Sequence, residues 1–464
     1  MPKIGLLPLG RPTFDVELAE AKLASMLSAL SANGSDLEFV GPRDLLMDMD
    51  AGRQAVAELN NSNIDHLLVL QVTFTDASLI AEAAQSLDKP LAIWAIPEPR
   101  EGGRLRLNSF CGLNLASHAL GLRQQVFSWL YADPDSVTGD QIASLFNGDT
   151  VTKPLSAAAP DAVANDSAKN VVANLQGKRI GRIGAHPDGF DTCAYDSAQL
   201  QQLAGVEVDE LELPQLFDQA KKADAAEVAQ IRQVAADALP DLDQVDQEEL
   251  DRSLRLKAAL DGIRSSGNYQ AFALRCWPET FTEYGGAVCG PASMLGENKT
   301  PCACEADVYG ALTQLILQEA SGAPVFLTDL VDMDSNDNTG VVWHCGQAPL
   351  SMRDETVDPS ATIHTNRKMP LLYEFPLKPG RVTLMRISQS FGKTKMILSG
   401  GDMLQRPMAF TGTSGVIRFD RAVSDVLPDL INSGLEHHMA LTYGDHREIL
   451  LGIAAEMQLP VLEI

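Results

Sequence analysis

Three side chains between Cys302 and Gly346 are of the types that bind a divalent cation and move protons: Glu305, Asp329 and His344. Carboxylate oxygens and an imidazole nitrogen converging at one place suit a divalent metal with open coordination positions. Each residue has a plainer reading as well. A carboxylate before a helix is often a cap worth on the order of 1 kcal/mol, and one after a strand is often a solvated turn residue. The acidic run Asp332, Asp334, Asn336 and Asn338 does not form an EF-hand calcium loop. Started at Asp332, that loop needs Gly where Asp337 stands and Glu where Trp343 stands.

The elements around these residues decide whether they can meet. Val308, Leu312, Leu315 and Ile316 share one helical face and predict a helix from Ala306 to about Glu319, ended by Gly322 and Pro324. Pro324 to Thr328 reads as a short strand. In a right-handed parallel unit the helix start and the end of the following strand lie at one sheet edge. Glu305 and Asp329, 24 positions apart, would then face one site. His344 follows a second strand, Gly340 to Trp343, and returns to that edge if the acidic loop folds back.

A chain of 464 residues can bury a large core and divide into several domains. Its 45% hydrophobic and 21% charged residues are those of an ordinary globular protein. No apolar run has membrane-spanning length, and MPKIGLLPLG reads as a first strand rather than a signal peptide, so the cytoplasm is the expected compartment. Seven cysteines without regular spacing fit free thiols, and a lone Cys-x-Cys at 302 and 304 is a weak zinc signal. A net charge of −26, from 62 acidic against 36 basic residues, excludes nucleic acid as an expected partner.

From Lys3 to about Pro99 apolar strands alternate with helical patterns, as in a doubly wound parallel sheet. Functional residues of such sheets sit in loops after strand ends. Arg11, Thr13 and Asp15 in GRPTFD, and Asn114 and His118 in FCGLNLASHALG, are candidates for ligand binding. Residues 153–169, rich in Ala, Pro, Ser and Asp, read as a linker. A second alternating unit begins at KRIGRIGA; its glycines, Gly181, Gly184 and Gly189, match no nucleotide-binding loop. A long charged helical region spans Ala220 to Arg264 with a break at Pro240. The strand AFALRCW ends at Trp277, with Pro278 and Glu279 on its loop. After Cys345 the pattern alternates with period two, as in an antiparallel sheet or small barrel. His437 and His438 follow a turn near the end; being adjacent, at most one is expected to serve as a ligand.

The motifs RCWPE, CACEADVYGAL, FLTDLVDMD, WHCGQAP, FPLKPGRVTLMR and EHHMALTYGDH, with GRPTFD and LNLASH in support, resemble the L-fucose isomerase and L-arabinose isomerase superfamily over nearly the whole chain. The resemblance implies an α/β fold of two Rossmann-like doubly wound lobes, 1–155 and 156–335, followed by a C-terminal antiparallel β-barrel-like domain, 336–464. It implies a cytoplasmic homo-oligomer, a hexamer, with Mn²⁺ or else Mg²⁺ or Co²⁺. Glu305 and Asp329 match the two acids that shuttle the proton and bind the metal, and His438 matches the late histidine ligand. His344 matches an extra histidine found only in the arabinose branch, so the chain mixes two patterns.

The implied reaction is aldose–ketose isomerisation of a pentose, 6-deoxyhexose or related sugar through a cis-enediol. That reaction needs an acid–base pair near carbons 1 and 2, and a cation to stabilise the enediolate. A metal-dependent epimerase or lyase using the same enediolate, and a non-catalytic sugar-binding protein, are the competing classes. The far end of the sugar would be read by Arg11, Trp277, His118 and the basic pair Arg367 and Lys368, with Asn114 a further substrate-binding candidate. A neutral sugar is the first expectation; a distal phosphate or sulfonate would instead pair with arginine in a fork geometry.

Overall fold

The first apolar runs form a sheet covered on both faces. In the computed structural model, which describes residues 1–464, β1 (Lys3–Leu9), β2 (Glu38–Val40), β3 (His66–Gln71), β4 (Leu91–Ala95) and β5 (Ser128–Tyr131) are all parallel, in the order β2-β1-β3-β4-β5. Strand β4 is buried at every residue, which is why it reads as an unbroken apolar run. The helix Ser109–Leu122 carries no Asp, Glu, Lys or Arg and is buried almost all round.

A second parallel sheet contains β6 (Arg179–Ile183), β7 (Glu207–Leu211), β8 (Ala271–Leu274) and β9 (Cys302–Ala303), in the order β7-β6-β8-β9. The charged region before β8 is two helices, Ala225–Ala238 and Gln247–Gly267, separated around Pro240 as its break predicts. The predicted linker is shorter than expected. Helix Asp166–Leu175 begins inside it, capped by the Asn165 side chain, and Ala158 bridges to Val461.

The third sheet holds β10 (Phe326–Asp334), β11 (Thr339–His344), β12 (Ser360–Thr362), β13 (Leu372–Pro376), β14 (Gly380–Ser388), β15 (Lys395–Leu404), β16 (Thr413–Phe419), β17 (His438–Tyr443) and β18 (Val461–Glu463). Their order is β12-β13-β16-β11-β10-β17-β14-β15-β18, with a further ladder between β15 and β16. Most neighbours are antiparallel, but β13–β16 and β15–β18 are parallel, so the sheet is mixed.

Two expectations about the central stretch change. The strand predicted to stop at Thr328 continues to Asp334, which places Asp329 inside β10 rather than in a loop. The expected parallel unit is also absent: β10 runs antiparallel to both β11 and β17. It belongs with the C-terminal strands although it lies before residue 336. A buried apolar run carries no information about which sheet will accept it, and the intervening helix Val308–Ser321 accounts for the crossing. That helix leaves the edge of the second sheet at β9 and packs against β6 and β8 on one side and β14 and β17 on the other.

Candidate active site

Glu305 sits where the chain leaves β9. Glu305 and Ala306 both adopt left-handed backbone conformations, with φ of 60° and 56°. For residues with a Cβ this costs on the order of 1–2 kcal/mol each, the kind of local strain that collects at functional sites. The kink sends the Glu305 carboxylate into a cavity while Asp307 caps the next helix through Gly310 N–H at 2.8 Å. Glu305 Oε1 accepts from Trp277 Nε1–H at 3.0 Å, and Oε2 lies 2.9 Å from His437 Nε2. Burial works against ionisation of Glu305, but His437, His438 and the Trp277 bond outweigh it and hold the carboxyl down at about 2. Burial likewise pulls His437 down, and its bond and charge pairing with Glu305 raise it above the ordinary imidazole value.

Asp329 and His438 are direct cross-strand partners in the β10–β17 ladder. His438 Nε2 lies 3.5 Å from Asp329 Oδ1 and 3.9 Å from Glu305 Oε2. Asp329 Oδ1 and His438 Nε2 are both buried and have no hydrogen-bond partner. Two orphaned donor atoms aimed at one another, with a third carboxylate beside them, are the arrangement a divalent cation would satisfy.

At most one of the paired histidines is expected to be a ligand because neighbours point apart; here both rings lie beside Glu305, with His437 Nε2 at 2.9 Å and His438 Nε2 at 3.9 Å from its Oε2. His437 precedes the strand and His438 begins it, so the alternation of strand faces does not separate them. Their ring centroids are 3.9 Å apart.

His344 closes β11, is buried, and its ring stacks at 5.7 Å from that of His438. With Asp329 and His438 it forms a group whose ligand atoms lie within 4.8 Å of one another. Its Nδ1 is 2.9 Å from Cys345 N, which can only donate. The neutral ring therefore carries its proton on Nε2, a tautomer that suits that nitrogen to donating a hydrogen bond.

The same cavity is lined at its other side by Arg11, Thr13, Trp277, His364, Asn366 and Arg367. Both guanidinium groups lie over the Trp277 ring, Arg11 at 5.7 Å and Arg367 at 5.4 Å from a ring centroid. Arg11 is paired with Asp76 at 2.7 Å. Burial, and then the charge of Arg11, lower the Arg367 pKa from its ordinary value, and no carboxylate offsets them. Lys368 is not part of the cavity wall.

Asn114 and His118 do not line the cavity. They lie one turn apart on the helix Ser109–Leu122, with Ser117 beside them, and these three residues reach the carbonyls at the end of the helix Val423–Ser433. Ser117 Oγ donates to Ile431 O at 2.7 Å, His118 Nδ1 to Gly434 O at 2.8 Å and Asn114 Nδ2 to Leu435 O at 3.3 Å. The polar stripe in LNLASH thus binds carbonyls at and just beyond a helix end and ties down the turn that leads to His437 and His438. Sequence reasoning weighed His437 only as the alternative to His438 and missed Asp307 and His364. The Glu-His-His run was the available signal for His437; Asp307 was hidden by its ordinary role as a helix cap.

The chain is similar to known proteins along its whole length. A family model described as "Fucose/sulfoquinovose isomerase, N-terminal domain" matches residues 5–147. A sulfoquinovose isomerase from Alkalicoccus urumqiensis is 30% identical over 463 residues, covering 99% of this chain and 98% of that one. Another from Priestia megaterium is 29% identical over 455 residues, 98% and 97% of the two chains, and one from a Clostridium species is 29% identical over 470 residues, 98% of each.

Proposed function

Because the chain belongs to the fucose/sulfoquinovose isomerase family and is an isomerase, we propose that it interconverts an aldose and a ketose that carry an anionic group, sulfoquinovose or a close sulfonated hexose. The observation that carries this reading is the pair of arginines over Trp277, whose indole N–H meets Glu305. One indole ring separates a cationic end from a carboxylate and imidazole end, a span suited to a six-carbon sugar held at both ends. A cationic end with an unpaired guanidinium shifts the expectation from a neutral sugar to an anionic one. A curated relative's substrate of the same charge supports the shift.

The donor set supports Mn²⁺, or Mg²⁺ or Co²⁺ in its place, held by Glu305, Asp329 and His438; when bound, the ion would supply Lewis-acid stabilisation of negative charge on the sugar's O1 and O2. One of Glu305 and Asp329 would remove the proton from one carbon as the base while the other, starting protonated, would deliver a proton to the adjacent carbon, with the hydroxyl proton passing between O2 and O1. Trp277 and His437 hold the Glu305 carboxylate in one orientation for that task. His344, with Nε2–H available, would donate a hydrogen bond to a sugar oxygen.

We read the third sheet, with its added β15–β16 ladder, as the barrel-like body of the family. We read the chain as three units built on β1 to β5, β6 to β9 and β10 to β18, which keeps the expected division near 155 and moves the one expected at 335 to a point before β10. A cytoplasmic hexamer is part of the same proposal; no helix is long and apolar enough to cross a membrane.

The test is incubation of Mn²⁺-loaded protein with sulfoquinovose, glucose 6-phosphate and neutral 6-deoxy sugars, with products identified by NMR. A 2-ketose formed fastest from the sulfonated sugar is expected. An epimer or a dehydrated product, or faster turnover of the neutral sugars, would overturn the proposal.

A further inference from the structure

Asp307 is wholly buried, and its surroundings exceed what a helix cap needs. Beyond the bond to Gly310 N–H, its Oδ2 lies 2.9 Å from His438 Nδ1. Arg386, also wholly buried, grips both carboxylate oxygens: Nη1 donates to Oδ2 at 2.5 Å and Nη2 to Oδ1 at 3.0 Å. Behind it stands Glu436, 2% exposed, with Oε2 3.9 Å from Arg386 Nε and Oε1 accepting Gln389 N–H at 2.7 Å. A Ser or Asn would cap the helix equally well. Burying an arginine and two carboxylates costs several kcal/mol in desolvation per ion, so stability alone is a weak reason for this arrangement.

We propose that Asp307 is a positioning residue for the His438 ligand, and that Arg386 and Glu436 exist to hold that carboxylate still. This inference rests on the metal reading given above. A carboxylate at Nδ1 accepts a hydrogen bond from Nδ1–H, which keeps the ring proton there and leaves the lone pair on Nε2. It also fixes the ring so that this lone pair faces Asp329 Oδ1 and Glu305 Oε2. Carboxylates in this position behind a metal-bound histidine raise the ligand's basicity, and their loss weakens metal affinity by roughly 10- to 100-fold. The local charge agrees: Glu305, Asp307, Asp329 and Glu436 set four carboxylates against the guanidinium of Arg386. The excess negative charge lies on the side where Nε2 is unpartnered.

The experiment measures Mn²⁺ binding to the metal-stripped full chain by calorimetry and by electron paramagnetic resonance of the free ion. Wild type, His438→Asn and Asp307→Asn are compared, with Tm recorded for each. Wild type should bind and His438→Asn should not; if wild type does not bind, or His438→Asn binds normally, the metal reading fails. Given that control, Asp307→Asn should bind roughly 10- to 100-fold more weakly. Its turnover should recover when Mn²⁺ is raised to saturation, with KM for the sugar unchanged. Affinity within twofold of wild type would overturn the inference. Should Asp307→Asn fail to fold because Arg386 is left unpaired, the double variant Asp307→Asn/Arg386→Met removes the stranded charge. The same loss of affinity is expected from it, and its absence would again overturn the proposal.

Discussion

The two sides of the cavity are built on different principles. The carboxylate and imidazole side is set on regular structure: Asp329 and His438 are register partners in neighbouring strands, and Glu305 is held by a strained turn between a strand and a helix. The cationic side is set on loops, with Arg11 following β1 and Arg367 lying in the connection between β12 and β13. Groups that must meet reacting atoms gain from rigid supports, whereas a charged tail can be recognised by side chains that adapt. The cavity thus has one wall set by strand register and another set by loops, and on the proposed function chemistry and choice of sugar divide along the same line.

The sharpest way to break that division is at the rigid side. Glu305→Gln and Asp329→Asn should each lower kcat by roughly 10²- to 10⁴-fold for anionic and neutral sugars alike, measured at saturating metal. Full turnover with full metal content in both variants would remove these residues from the chemistry. Arg367→Ala should act selectively, because a charge-assisted bond worth about 1.5–3 kcal/mol is about 10- to 100-fold in kcat/KM. The sulfonated sugar should suffer that loss and a neutral 6-deoxy sugar almost none. Equal losses for both sugars, or none, would merge the two sides. His344→Ala should cost about tenfold in kcat and leave Mn²⁺ affinity nearly unchanged, as for a hydrogen-bond donor; a large fall in affinity would make it a ligand after all.

The smallest expected effect concerns a loop support. Glu98 is buried and accepts the backbone N–H groups of Arg106, Leu107 and Asn108, the segment that brings Leu105 and Asn108 to the cavity wall. Burial pushes its pKa up from 4.5 to about 7, against the pull of those bonds. Between those values the folded chain keeps a proton that the unfolded chain has lost. The contribution of this group to stability therefore falls as pH rises from about 4.5 to about 7. Glu98→Gln should flatten that part of the Tm against pH profile, a difference of roughly 1–3 kcal/mol in stability across the window. Parallel profiles for the two proteins would show that Glu98 is ionised throughout.

Much of this was readable in advance, and the failures have physical causes. Alternating apolar runs identified β1, β3 and β4 nearly residue for residue, because strands buried on both faces carry a strong signal. Glu305, Asp329 and His438 were legible through their motifs and do converge. The route by which they converge was not legible, since β10 reads the same whether it joins a parallel or an antiparallel neighbour. Asn114 and His118 looked like ligand contacts because a polar stripe on a buried helix has the same sequence whether it faces a sugar or a helix end. Arg386 ends the motif FPLKPGRVTLMR, but its burial was not legible for the converse reason: one charged residue in a strand reads as solvent-facing, and only packing shows that it is fully enclosed.

The position of β17 has a consequence for how the molecule is made. It lies between β10 and β14, which precede it by some hundred and some fifty residues. During vectorial synthesis on the ribosome, β10 and β14 emerge with facing, unfilled edges, and the strand that carries His438 arrives later to occupy the gap. Open edges of that kind recruit other chains, and pairings over such sequence distances form slowly. Until β17 inserts, both of those edges stay open and His438 stands apart from Asp329, so one pairing event closes the gap in the sheet and brings these two side chains together.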